Sequence, residues 1–358
     1  MSGSEVRIGH LAADRFVPRR GRCARLPVLM VHGFAQNRHT FHHATRSLAQ
    51  FVADTGREVY NCDLRGHGRS RELGAPWPEG VVDYLELDLP VLVDGVLERC
   101  GAERLVMIGH SLGGTLSCLY AGWKPEQVAG VAAIGSPSSR AGRAGLFASP
   151  GMRAAGRLVA AVRARGMSAA VRTVMPFFPL DLVGPAVLAL DRRVWTRLPA
   201  FLRRGKRGPL TVVRPWLPGG FEPEMEEDWL HLTFDSVGIG VLADMFEWAR
   251  TGRIPGRNRG GDLFEHLRRT ACPVLLVSSP GDEIVVERYG LDRSDIPEAA
   301  VTRVSLGGFG HCDLVLGRRA PAETWVRVRE WLDGIDGVRG RSRSGVRAAP
   351  RRRVFPQA

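Results

Sequence analysis

Short apolar runs punctuate the first part of the chain at spacings too wide for hairpins. "PVLMVHG" (27–33), "REVYNCD" (57–63), "RLVMIGH" (104–110) and "VAGVAAIGS" (128–136) are of strand length, and helix-like stretches lie between them. Strands of four to eight residues joined by long crossovers predict an α/β fold, a mostly parallel sheet with helices on both faces. The pattern resumes late. "CPVLLVSSPGD" (272–282) and "AVTRVSLGGFGH" (300–311) read as two further strands, and "PAETWVRVREWL" (321–332) as a closing helix.

Between the two blocks, residues 138–262 carry a helical, proline-interrupted pattern with few strand signals. They read as a large helical cap inserted between a first core part (1–137) and a second (263–336). The middle of the insertion, 169–202, mixes large apolar residues with arginines, as an amphipathic lid over an apolar site would. A helical subdomain with its own small core is the plainer alternative. Residues 337–358 hold few large apolar side chains and many like charges, and are expected to be a basic disordered tail.

Charge changes the picture only once it is divided along the chain. The net +13 comes from residues 138–220, with 15 basic against 2 acidic side chains, and 338–358, with 7 against none. Residues 1–137 are nearly balanced and 221–337 are acidic. The body is therefore no nucleic-acid surface, and peripheral contact with anionic membranes through cap and tail is the expectation that remains. The opening residues lack an apolar run of signal-peptide length, and no stretch reaches the ~18 apolar residues of a membrane span, so a cytoplasmic location is expected. Six scattered cysteines without a CxxC pair read as reduced thiols.

The chemistry concentrates at the ends of the expected strands. "IGHSLGG" (108–114) follows one strand and opens a helical run, the context of a G-x-S-x-G nucleophile elbow framed by Gly109, His110 and Gly113. Its sharp turn lifts Ser111 above the sheet edge, and small flanking residues are needed where chain passes close by. A serine needs a base, and the base an orienting carboxylate. His311, in the glycine-rich loop after the last strand, and Asp282, at the end of the strand before it, supply both in the order Ser, Asp, His. Two N–H donors are then required for an oxyanion, and the amides of Leu112 and of Phe34 in "HGFAQN" (32–37) are the candidates. His32 reads as a hydrogen-bonding support of that loop. His39, His42 and His43 lack a matching acidic set, so a helix face is expected there and no metal site. In "CDLRGHGRS" (62–70), Asp63 and His67 read as loop structure at the mouth of the site.

At these residues the chain resembles the alpha/beta-hydrolase superfamily over 26–137 and 262–333, in its serine esterase and lipase form. Residues 84–114 and "GHCDLVLG" (310–317), with the His311–Asp313 pair, are similar to the acid-lipase branch of gastric and lysosomal lipases, whereas "LRGHGRS" resembles the esterase and epoxide-hydrolase pattern. The resemblance implies Ser-His-Asp hydrolysis of carboxylic esters of lipid-like or apolar character, a small-molecule ester or lipid as substrate, and no cofactor. Epoxide hydrolases and haloalkane dehalogenases use an aspartate where Ser111 stands, and polyhydroxyalkanoate synthases a cysteine. An acyltransferase using the same triad is the nearest alternative, and a non-catalytic membrane- or nucleic-acid-associated protein the more distant one.

Overall fold

A computed structural model of the chain describes residues 3–141, 153–154, 156–159, 161, 177–179, 181–182, 215–257 and 260–343. Each of the six apolar runs forms a strand, and two more precede them. The strands are β1 (Ser4–Ile8), β2 (Leu11–Phe16), β3 (Val28–Val31), β4 (Val59–Asp63), β5 (Leu105–His110), β6 (Val128–Ile134), β7 (Val274–Ser278) and β8 (Val301–Ser305). They pair in the order β1-β2-β4-β3-β5-β6-β7-β8. β1–β2 and β2–β4 are antiparallel, and every pair from β4 to β8 is parallel.

Alternation along the strands fills two apolar layers, because successive side chains point to opposite faces. Leu29, Val31, Leu105 and Met107 join one buried cluster with Leu92, Val96 and Leu116. Val28, Met30, Val106 and Ile108 join the other with Leu48, Val52, Val328 and Leu332. The helices that cover these faces are α1 (Leu48–Ala53), α2 (Leu89–Cys100), α3 (Leu112–Trp123) and, at the end, α6 (Thr324–Arg343). Their ends carry local signals. Ser47 Oγ accepts from Gln50 N at the start of α1, and α2 has a proline in its first turn and stops at Gly101 with φ +57°. The outer strands β1 and β8 are partly exposed and present Arg7 and Arg303, charges that discourage edge pairing.

Two elements depart from expectation. The β1–β2 hairpin turns on a two-residue loop, Gly9–His10, with Gly9 at φ +60°, and pairing of β2 with β4 makes it a sheet edge. The closing helix runs past residue 332 to Arg343, into the segment expected to be disordered. Extending a formed helix avoids the nucleation step, and arginine is a good helix former, so like charge did not stop it at once.

Of the insertion, the described residues include two helices, α4 (Pro223–Thr233) and α5 (Ile239–Thr251). Phe177–Phe178 pairs antiparallel with Val237–Gly238, and Phe177 stacks on Trp77 at 4.8 Å between ring centroids. Nearly all of 169–202, the expected amphipathic lid, lies outside the described residues.

Candidate active site

Parallel order brings the ends of β3, β5, β6, β7 and β8 to one edge of the sheet, where the candidate residues collect. β5 ends at His110, and Ser111 follows with φ +53° and ψ −124° before α3 begins. Only glycine enters that region without strain, and a non-glycine there costs roughly 1–3 kcal/mol. The surrounding glycines hold it. A Cβ on Gly113 would stand 2.1 Å from the Val31 carbonyl oxygen, and one on Gly109 2.4 Å from Gly113. The N-terminus of α3 lies under the serine, where its free amides favour negative charge.

His311 follows β8 in a loop, and its Nδ1–H donates to Asp282 Oδ2 at 2.7 Å. Asp282 is itself fixed, since Oδ1 accepts from the amides of Ile284 and Val285, both at 2.8 Å. Ser279 Oγ donates to the Phe309 carbonyl at 2.7 Å and ties the two loops together. With Nδ1–H engaged, Nε2 is the ring nitrogen left to take a proton. Ser111, Asp282 and His311 are all buried. The His311 ring packs on His110 at 4.6 Å between centroids, and Gly135 leaves room beside it and Asp282, where a Cβ would stand 3.3 Å from the imidazole. No hydrogen bond joins Ser111 Oγ to His311 among the described residues; it is His110, the residue before Ser111, whose ring packs on His311 and whose Nε2 lies 3.2 Å from the His311 carbonyl oxygen.

The loop after β3 presents the other half of the site. Ala35 has φ +54°, and it and Ser111 are the only non-glycine residues with positive φ among those described. The amides of Phe34 and Leu112 donate to no acceptor among the described residues. His32 braces the loop from below. Its Nδ1–H donates to the Gly33 carbonyl at 2.9 Å while Nε2 accepts from Leu64 N at 3.1 Å, and burial pulls its pKa down to about 4. It is thereby a neutral support.

Asp313, expected as a supporting residue, anchors the base loop. Leu217 N donates to its Oδ2 at 3.4 Å, a long bond, and Cys312 N donates to the Pro215 carbonyl at 2.6 Å. Burial pushes the Asp313 carboxyl up to about 6. Asp63 holds the loop after β4 by accepting from the amides of Arg38 and Arg69 and from the Arg38 guanidinium. His67 bonds Tyr84 OH at 2.9 Å. The "HTFHH" stretch forms a single 3₁₀ turn, Arg38–Thr40, and a two-residue strand, His42–His43, rather than the expected helix face. No group of three His, Cys, Asp or Glu side chains suited to a metal ion occurs among the described residues.

A family model described as the alpha/beta hydrolase fold matches residues 27–317. The chain belongs to the alpha/beta-hydrolase family. The chain is 32% identical over 123 residues to epoxide hydrolase B of Mycobacterium tuberculosis, across 34% of its own length and 32% of the relative's. It is 33% identical over 108 residues to mouse lipase member N, across 28% of its length and 27% of that protein's. The matches thus span about a third or less of these curated relatives. Among solved structures, the monoacylglycerol lipase of Paleococcus ferrophilus superposes with a TM-score of 0.53 at 19% identity, covering 91% of this chain and 99% of that one, a likeness of fold.

Two groups of contacts have no signal in the sequence. Asp235, which follows α4, accepts from Asn37 Nδ2 at 3.0 Å and from Gly68 N at 2.7 Å, and its own amide donates to the Ala35 carbonyl at 2.9 Å. Asn37 Nδ2 also reaches the Leu232 carbonyl at 2.8 Å, and Trp229 Nε1 the His39 carbonyl at 3.0 Å. Gln36 reaches toward His110 and Cys312. Nothing in spacing or composition signals partners about 200 positions away. All six cysteines are free thiols. No helix among the described residues is long and apolar enough to cross a membrane.

Proposed function

We propose that this hydrolase cleaves carboxylic esters, with apolar or lipid-like acyl groups as the preferred class, through an acyl-enzyme on Ser111. The observation that carries the reading is the buried His311 Nδ1–Asp282 Oδ2 bond at the same sheet edge as a serine held at positive φ. His311 Nε2 takes the proton of Ser111 as the hydroxyl attacks the acyl carbonyl. Asp282 keeps the imidazole in that tautomer and stabilises the cation that forms. The Phe34 and Leu112 amides receive the developing oxyanion, each worth roughly 10²–10³ in rate. His311 then returns its proton to the leaving alcohol and activates water to release the acid.

Residues 138–262 are the cap over this site. The Trp77–Phe177 stack supports an apolar substrate, as do the lipase names among the relatives and structural neighbours. An epoxide-opening route through an alkyl ester on the enzyme needs a carboxylate nucleophile, and the elbow carries a hydroxyl. The basic part of the cap and the tail are assigned to peripheral contact with anionic lipid, with the cytoplasm as location. The test is covalent trapping with an alkyl fluorophosphonate followed by peptide mass spectrometry. A single adduct on the Ser111 peptide, absent in Ser111→Ala and slowed in His311→Gln, is expected. An adduct elsewhere, or none, overturns the assignment.

A further inference from the structure

Three side chains that the reaction steps leave unused meet where the oxyanion loop, the elbow and the base loop join. His110 Nδ1 lies 3.0 Å from the Gln36 side-chain oxygen position, and His110 Nε2 lies 3.2 Å from the His311 carbonyl oxygen. The Gln36 side-chain nitrogen position lies 3.6 Å from Cys312 Sγ. All four residues are buried. A neutral imidazole has one N–H and cannot donate to two oxygens at once. An imidazolium could, but its charge would be buried with its ring against His311, and burial together with His311 holds the His110 pKa well below the ordinary histidine range.

The ambiguity resolves from its fixed end. The His311 carbonyl can only accept, so Nε2 of His110 carries the proton and Nδ1 accepts. An amide's nitrogen and oxygen are told apart only by their partners, so the Gln36 NH₂ group belongs toward Nδ1. The amide oxygen then faces Cys312, whose thiol, kept protonated by burial, can donate to it. Gly33 makes the room, since a Cβ there would stand 2.6 Å from the Gln36 amide and 3.1 Å from Ser111 Cβ.

We propose that Gln36 is a positioning residue whose amide closes a directed hydrogen-bond chain, from Cys312 S–H to the Gln36 oxygen, from the Gln36 N–H to His110 Nδ1, and from His110 Nε2–H to the His311 carbonyl. The chain sets the main chain of the base against the oxyanion loop and the elbow together. It rests on the reading of Ser111 and His311 as nucleophile and base, although its proton positions do not. The titratable groups facing it are His32, His311 and Cys312, with Asp282 and Asp313 behind Cys312.

Imidazole ¹⁵N spectra of the native protein test the chain without turnover, so this failure is distinguishable from failure of the hydrolase reading. His110 is expected as the Nε2–H tautomer from pH 5 to 9; an Nδ1–H tautomer or an imidazolium overturns the proposal. Gln36→Met, which keeps the shape and removes the amide, is expected to lower kcat about tenfold with KM within about twofold. In Gln36→Glu a protonated carboxyl can fill both roles of the amide, whereas a carboxylate cannot donate to Nδ1. Its kcat relative to native therefore falls as pH rises. Native kcat in Gln36→Met, or a ratio for Gln36→Glu that is flat with pH, contradicts the positioning role. If Gln36→Met fails to fold, the tautomer in the native protein still decides.

Discussion

The elbow at 109–113 and the oxyanion loop at 33–37 face each other, and each carries one of the two non-glycine residues with positive φ, Ser111 and Ala35. They are held in opposite ways. The elbow is held by what it lacks, because Gly109 and Gly113 let β3 and α3 close in to distances that a Cβ would occupy. The oxyanion loop is held by what reaches it from afar, since Asp235 and Leu232 grip Ala35 and Asn37 from the return of the insertion. Strain at Ser111 thus rests on two nearby glycines that let the adjacent core strand β3 pass close, whereas the Ala35 loop depends on polar contacts about 200 positions away. One consequence is that the insertion touches the edge of the candidate site directly.

The sharpest break in this comparison comes from Gly113→Ala. The added methyl would overlap the carbonyl oxygens of Val31 and His32, which are backbone and cannot swing aside. A loss of about 3 kcal/mol or more in unfolding free energy, together with activity, is expected in denaturant titration. If the variant keeps both, local crowding is not what holds the elbow.

Asp235→Ala probes the other half and should act on rate more than on the global fold. It strands the Gly68 N–H and one of the two Asn37 side-chain N–H bonds, the other keeping the Leu232 carbonyl, at about 1–3 kcal/mol for each buried donor left unpaired. The main-chain bond from Asp235 N to the Ala35 carbonyl survives, but the Asn37 and Gly68 ends of the loops lose their shared carboxylate, and kcat is expected to fall about tenfold with KM changed less. Asp235→Asn keeps one acceptor oxygen and should recover part of the rate. Equal kcat in all three proteins would detach the insertion from the oxyanion loop.

The same contrast explains what was legible in the sequence. Ser111, Asp282 and His311 stood out because each follows a strand whose apolar run is local and strong, and the parallel order then placed three strand ends together. Gly109 and Gly113 were legible for the same reason. Asp235, Gln36 and Asn37 were not, because a polar residue in a loop reads as a turn former until its partner is known. The β1–β2 hairpin was not legible because "SEVRI" is half exposed and joins the sheet only through β2, whose own partner β4 lies some 45 residues later. The helix end at Arg343 was not legible because tail composition, taken alone, carries no trace of the helix that already precedes it.

The central claim is that Ser111 turns over carboxylic esters, and hydrolysis of p-nitrophenyl esters from short to long acyl chains tests it most directly, with Ser111→Ala assayed beside the native protein. The account expects saturable turnover that favours the longer acyl chains and falls about 10⁴-fold or more in the variant. Turnover that survives in Ser111→Ala, or no turnover at any chain length, would contradict it.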